Sequence, residues 1–126
     1  MKKIISTVNA PAPIGPYNQA VMIDNTLYMS GQIALNPIDG SLIISDIQSE
    51  TKQVMDNIKA ILKEAEMTFD QVVKTSIFIS DMDNFAKINE VYGSYFDKDY
   101  PARETVQVSR LPKDVNVEIS VIAVKS

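Results

Sequence analysis

Residues 47–65, IQSETKQVMDNIKAILKEA, decide the fold class of this chain. Their apolar side chains recur at steps of three and four, which places them on one face of a helix. Ser45 followed by Gln48 resembles a capping box, which predicts that this helix begins there. The residues of the predicted apolar face are Ile47, Val54, Met55, Ile58, Ile61, Leu62 and Ala65.

A second helix follows further along the chain and ends before Pro101, because a proline disfavours helix in the residue that precedes it. Asp81 or Asp83 can cap its first turn. Its apolar stripe consists of Phe85, Ile88, Tyr92, Tyr95 and Phe96.

Strand patterns surround the two helices at residues 3–7, 20–23, 27–30, 73–80, 105–109 and 117–124. Asp24 and Asn25 form a plausible hairpin turn between the second and third strands, since both residue types tolerate a positive φ. The predicted order is β-β-β-α-β-α-β-β within one domain, residues 1–126. An α+β fold follows, in which two helices pack on one face of a single, mostly antiparallel mixed sheet.

The second face of this sheet also carries apolar residues. In the last strand Ile119 and Val121 alternate with Ile122 and Val124 rather than with charged residues. A large exposed apolar patch is unusual on a monomer, so we expect another subunit to cover this face in a symmetric homo-oligomer.

Composition excludes several classes of function. The net charge of −4 gives no electrostatic footprint for a nucleic acid. No secretory signal and no stretch long enough to cross a membrane is found, which predicts a cytoplasmic protein without a membrane partner. The chain contains neither Cys nor His, which removes thiol nucleophiles, imidazole bases and the usual zinc ligands together. Carboxylates, hydroxyls, arginine and bound water remain for any chemistry.

Arg103 is the first candidate for a functional side chain. In the fifth predicted strand it is in phase with Thr105 and opposite Val106. Its planar guanidinium suits a substrate carboxylate, which it can bind through two parallel hydrogen bonds. The alternative is a surface arginine at the entrance of a strand, and the spacing alone leaves both interpretations open.

Glu118 is the second candidate, because it interrupts the apolar run of residues 115–124. A carboxylate in such a strand must find a partner or shift its pKa. This makes Glu118 a candidate base or a group that orients a water molecule. An edge-exposed or ion-paired glutamate fits the pattern equally well.

Three further positions have both a functional and a structural interpretation. Asn89 is predicted on the buried stripe of the second helix, where it lines a pocket or braces the backbone. Tyr17 ends a proline-rich arm and either covers a pocket or simply packs. At Ser30-Gly31 the missing Cβ lets a substrate approach the backbone, and a bulge or turn explains it equally well.

Taken in order, these segments resemble the RidA family, also called YjgF, over essentially the whole chain. Residues 13–20, PIGPYNQA, resemble the opening GPYSQA motif, and residues 27–33, LYMSGQI, resemble the LYVSGQ strand. Residues 89–92, NEVY, are similar to the second-helix segment. Residues 101–103, PAR, residues 111–112, LP, and residues 117–119, VEI, resemble the closing PAR, LP and VEIE signatures.

The resemblance implies a chorismate-mutase-like homotrimer with three clefts between neighbouring subunits, and neither metal nor organic cofactor. It implies hydrolysis of 2-iminobutanoate, 2-iminopropanoate and 2-aminoacrylate, products of pyridoxal-phosphate enzymes, to 2-oxo acids and ammonia. Arg103 then binds the substrate carboxylate, and Glu118 holds and polarises the attacking water. The residues implied to line the cleft are Tyr17, Ser30, Gly31, Asn89 and Thr105.

Some positions depart from the family pattern. Glu104 and Thr105 stand where a small residue and often a cysteine follow the arginine, which predicts a narrower or more acidic cleft. Glu66 stands where a glycine commonly ends the first helix. Ser120 replaces the second acid of VEIE, which makes that acid dispensable or shifts the substrate range.

Rival functions come from other classes. The arginine-lined cleft suits a non-catalytic sensor that binds a 2-oxo acid, because a fold and a site can outlast an activity. Some relatives have chaperone-like or RNA-cleaving roles. The acidic balance and the absence of histidine make RNA cleavage the weakest of these alternatives.

Overall fold

The computed structural model describes residues 1–126. Its strands are β1 (Lys3–Ile5), β2 (Ala20–Ile23), β3 (Thr26–Gln32), β4 (Val72–Ile79), β5 (Ala102–Gln107) and β6 (Val117–Val124). Its helices are α1 (Ile47–Glu64) and α2 (Phe85–Gly93). The strands form one sheet in the order β1-β2-β3-β6-β4-β5, in which only the β4–β5 pair is parallel. The predicted α+β class and element order are confirmed.

The core lies between the two helices and one face of the sheet. Every second residue of β6 is buried there, from Val117 through Ile119 and Val121 to Ala123, as strand alternation dictates. All residues of the predicted apolar face of α1 are buried in the same cluster, and α2 adds Ile88. The shared cluster confirms that both helices pack on one side.

The start of α1 differs from the prediction. Asp46, not Ser45, caps the helix, and its Oδ1 accepts a hydrogen bond from the Ser49 amide at 2.7 Å. The Ser45–Gln48 capping box is therefore wrong, because Ser45 lies one residue before the cap. Asp81 does act as a cap, but of the short 3-10 turn at residues 82–84 that precedes α2.

The bounds of β5 also differ from the predicted residues 105–109. The strand begins directly after Pro101 and runs parallel to β4, with Arg103 opposite Thr75. This register extends the pairing back toward the proline, which has no N–H to donate. Arg103 is consequently the second residue of the edge strand β5 and is paired with β4, instead of preceding the strand.

The face of the sheet away from the helices is open and partly apolar, as predicted. Tyr28, Val106 and Val124 are exposed there, and Ile122 is half-buried. Neither helix combines the length and the hydrophobicity that crossing a membrane requires.

Candidate active site

The guanidinium of Arg103 lies on the helix face of β5, between side chains of α2. It stacks 5.1 Å from the centre of the Tyr92 ring and 5.6 Å from that of Phe85. One of its nitrogens donates to Oδ1 of Asn89 at 2.7 Å. Asn89 is half-buried and braces Arg103. The other N–H groups of Arg103 have no partner in the chain, so they are available for an anion.

Thr105 follows on the same face of β5. Its hydroxyl is buried and makes no hydrogen bond. A cavity of about 300 Å³ opens beside Arg103, and Asn89, Tyr92 and Tyr100 contribute to its wall. These features place a guanidinium and an amide at one small cavity, and a buried hydroxyl on the same face of β5.

Glu118 lies on the other face of the sheet. It pairs with Phe78 of β4, and its side chain packs directly on the backbone of Gly31. A Cβ added at Gly31 would lie 2.8 Å from the carboxyl carbon of Glu118 and 2.9 Å from its Cγ. The β3–β6 register also shifts between Met29 and Gln32, so Ser30 and Gly31 form a bulge. The bulge interpretation of the glycine therefore applies, and the missing Cβ makes room for the Glu118 side chain of the same chain.

Burial raises the pKa of the Glu118 carboxyl above its ordinary value. No hydrogen bond and no positive charge opposes this shift. Glu118 has therefore shifted its pKa instead of finding a partner. A carboxylate with a raised pKa is a better proton acceptor near neutral pH.

The proline-rich arm reaches the same region as Glu118. The hydroxyl of Ser30 donates to the carbonyl of Asn18 at 2.6 Å, which ties β3 to the arm. The hydroxyl of Tyr17 accepts from the amide of Ile14 at 3.2 Å, and Tyr17 lines a crevice together with Gly31. Tyr17 remains partly exposed.

The site residues therefore fall into two groups. We call Asn89, Arg103 and Thr105 the arginine cluster, and Tyr17, Ser30, Gly31 and Glu118 the glutamate cluster. Arg103 contacts α2 on the helix face, whereas Glu118 lies on the open face. The sheet separates the two charges, and one chain does not bring them together.

The residues that depart from the family pattern have distinct surroundings. Glu104 points to the open face, where it accepts from Ser76 and lies 3.0 Å from Nζ of Lys74. The Ser76 hydrogen bond and then Lys74 lower the pKa of Glu104. Glu104 consequently does not make the surroundings of Arg103 in its own chain more acidic. Glu66 adopts a φ of 58°, the left-handed conformation that suits glycine at a helix end.

Polar side chains that brace these clusters were missed from the sequence. Gln19 is buried and bonds Thr7, Ala10 and Pro11 of the arm. Glu50 and Asn57 are buried on α1. Both residues lie at three- and four-residue steps from the apolar residues of α1. This spacing would have predicted from the sequence that they are buried. No group of three or more acidic residues lies close enough to hold a metal ion.

Comparisons with known proteins agree with this fold. The family model described as Endoribonuclease L-PSP matches residues 7–125. The putative regulator AldR of Lactococcus lactis is 51% identical over 121 residues, 96% of each chain. The mouse 2-iminobutanoate/2-iminopropanoate deaminase is 46% identical over 125 residues, 99% of this chain and 93% of its own. The crystal structure of E. coli TdcF with bound serine matches with a TM-score of 0.95 and 44% identity, over 98% and 99% of the two chains.

The fold and the clusters first define a class, a small α+β protein with an arginine and a glutamate on opposite faces of one mixed sheet. The full-length matches then identify the group within it. The chain belongs to the Endoribonuclease L-PSP family. The resemblance to RidA proteins, which rested on motifs from residue 13 to residue 119, is confirmed.

Proposed function

We propose that the protein is a hydrolytic deaminase that converts reactive 2-imino and enamine acids, such as 2-iminobutanoate and 2-iminopropanoate, to 2-oxo acids and ammonia. The observation that carries this proposal is a pair of unsatisfied opposite charges. Arg103 uses one nitrogen on Asn89, and the carboxylate of Glu118 has no partner. The name of the mouse relative and the serine bound to TdcF support a small amino-acid-like substrate.

Arg103 binds the carboxylate of the substrate in this proposal. Its free N–H groups form a planar fork that matches two carboxylate oxygens. Tyr92, Phe85 and Asn89 hold the guanidinium in place, so little side-chain freedom is lost on binding. Binding through the carboxylate fixes the position of the imine carbon next to it.

Glu118 handles the water and its proton. As water oxygen bonds to the iminium carbon, the C=N π electrons move to nitrogen and Glu118 accepts the proton that the water loses. Glu118 then returns this proton to the nitrogen of the carbinolamine, and the C–N bond breaks to release ammonia. Glu118, ionised again, accepts the proton that the hydroxyl loses as the carbonyl forms and passes it to the released ammonia, which leaves as ammonium. No covalent nucleophile is required, because the iminium carbon is already electrophilic.

A complete site needs two chains, because the arginine and glutamate clusters lie on opposite faces of one sheet. We propose a homotrimer in which the arginine cluster of one subunit faces the glutamate cluster of its neighbour. The exposed apolar residues of the open face, among them Tyr28 and Val124, support burial against another copy. A cyclic arrangement uses both clusters of each chain.

The decay of the imine tests this function. An amino acid oxidase generates 2-iminopropanoate or 2-iminobutanoate in place, and semicarbazide traps what remains. Wild type should accelerate the decay, and Arg103→Ala should lose about 10²-fold or more of that acceleration, because the substrate is no longer positioned. Arg110→Ala is the matched control, since the Arg110 side chain is exposed and has Asp114 as its polar partner. No acceleration by wild type would refute the deaminase proposal.

A non-catalytic regulator is the second candidate, and the name of the Lactococcus lactis relative favours it. The same two clusters then hold a 2-oxo acid without turning it over. Binding of 2-oxobutanoate to wild type but not to Arg103→Ala, without faster imine decay, would support this function.

A further inference from the structure

The most completely buried carboxylate of the chain lies outside both clusters. Glu50 is in the first turn of α1 and has no exposed surface. Its two oxygens accept hydrogen bonds from a single residue, from the backbone amide of Asn116 at 2.7 Å and from its side-chain amide at 2.8 Å. A buried charge is costly unless it is fully hydrogen-bonded, so this contact holds α1 and Asn116 tightly together.

Asn116 connects this carboxylate to the sheet. Its carbonyl accepts from the amide of Ser80 at 3.1 Å, and its side-chain oxygen accepts from the hydroxyl of Ser80 at 3.2 Å. Ser80 follows the last residue of β4, and Asn116 precedes the first residue of β6. Glu50 therefore fixes the point at which β6 starts alongside β4.

Glu118 lies two residues beyond this point. Its carboxylate has no hydrogen bond of its own in the chain, so the backbone of β6 and the contact with Gly31 set its position. Helix α1 also holds the segment that follows β3, because its residue Asn57 donates to the carbonyls of Ile33 at 3.2 Å and Leu35 at 2.9 Å. The strand that carries Gly31 is therefore anchored to α1 as well.

We infer that Glu50 is a positioning residue, which holds the start of β6 through Asn116 and thereby places the carboxylate of Glu118 over Gly31. This inference rests on the proposed function for its kinetic consequence. Its structural consequence is independent of any activity, because the surroundings of Glu118 can be measured by titration.

The test compares Glu50→Ala and Glu50→Gln with wild type. We expect Glu50→Ala to lower kcat for 2-iminobutanoate about tenfold or more and to change KM little. The reason is that a small displacement of a catalytic group greatly lowers the rate of the chemical step. The carboxyl 13C signal of Glu118, assigned by its absence in Glu118→Gln, should titrate nearer to the ordinary glutamate range. Glu50→Gln still accepts from the Asn116 amide, so its kcat and its Glu118 titration should lie between those of wild type and Glu50→Ala.

Thr51→Val is the matched control, since Thr51 is equally buried in the next position of α1 but donates only to the carbonyl of Ile47. It should leave kcat and the titration unchanged. A folded Glu50→Ala or Glu50→Gln with wild-type kcat and a wild-type Glu118 titration would overturn the inference. If Glu50→Ala does not fold, Glu50→Gln decides. If wild type lacks deaminase activity, the titration alone decides, so the failure of the proposed function remains distinguishable.

Discussion

At the scale of single residues, Glu118 illustrates a conflict between stability and chemistry. The chain keeps this carboxylate half-buried against Gly31 and supplies no compensating hydrogen bond. Its pKa in the folded state is therefore higher than in the unfolded chain, where it is near 4.5. At every pH above the raised pKa, the ionised carboxylate therefore lowers the free energy of unfolding.

Glu118→Gln should consequently stabilise the protein at neutral pH. Below the ordinary pKa the carboxyl is protonated in both states, so the difference between the two proteins should vanish there. As the pH rises from the unfolded to the folded pKa, the unfolded state ionises first and wild type loses stability relative to the variant. Urea unfolding from pH 4 to pH 8 measures this difference. Equal stability of the two proteins at pH 7 would contradict it.

Gly31→Ala should displace the carboxylate of Glu118, which packs on the backbone of Gly31. The new Cβ would lie 2.8 Å from the carboxyl carbon of Glu118, so that side chain or the bulge must shift. We expect a cost of about 1–3 kcal/mol in the free energy of unfolding and a lower kcat for imine decay. Gly93→Ala is the stability control, because its Cβ would meet no atom within 4 Å. A wild-type unfolding curve for Gly31→Ala would show that the contact is loose.

At the scale of elements, the end of α1 carries a residue in an unfavourable conformation. Glu66 has a φ of 58°, which glycine adopts at little cost. Glu66→Gly should therefore raise the free energy of unfolding by about 0.5–1 kcal/mol, the usual gain at a helix end of this type. The matched control is Glu64→Gly, which puts the glycine at the last residue of α1, where the backbone is helical, and should destabilise the protein. Thermal unfolding compares both, and a lower Tm for Glu66→Gly would refute the expectation.

The elements also show what could be predicted from the sequence. The buried faces of α1 and β6 follow from local periodicity, because the residues that share a face are close in sequence. The parallel pairing of β4 with β5 and the insertion of β6 between β3 and β4 join distant segments and leave no local pattern. Glu118 was found because it interrupts an apolar run, and Arg103 because its guanidinium suits a substrate carboxylate. Their separation by the sheet depends on this long-range pairing, so it was not predicted.

At the scale of the whole molecule, the proposed composite cleft predicts complementation between inactive variants. Arg103→Ala retains an intact glutamate cluster, and Glu118→Gln retains an intact arginine cluster. In trimers assembled from equal amounts of both, each cleft receives two intact clusters with a probability of about one quarter, so about one quarter of wild-type activity should return.

Refolding the two variants together and separately, followed by the imine-decay assay, measures this recovery. The separately refolded proteins, mixed after assembly, are the control for subunit exchange. Activity of the co-refolded sample no higher than the sum of the separate samples would show that neighbouring chains do not share a site.

The place of β6 in the sheet has a consequence for synthesis of the chain. This strand lies between β3 and β4, yet it follows all the other strands in sequence. While the ribosome is still making it, β1–β3 and β4–β5 are two separate ribbons, each with an unpaired inner edge. Such edges are prone to pairing with other chains. The nascent protein is therefore most exposed to aggregation just before Glu118 and its neighbours emerge, and the same residues that complete the glutamate cluster also close the sheet.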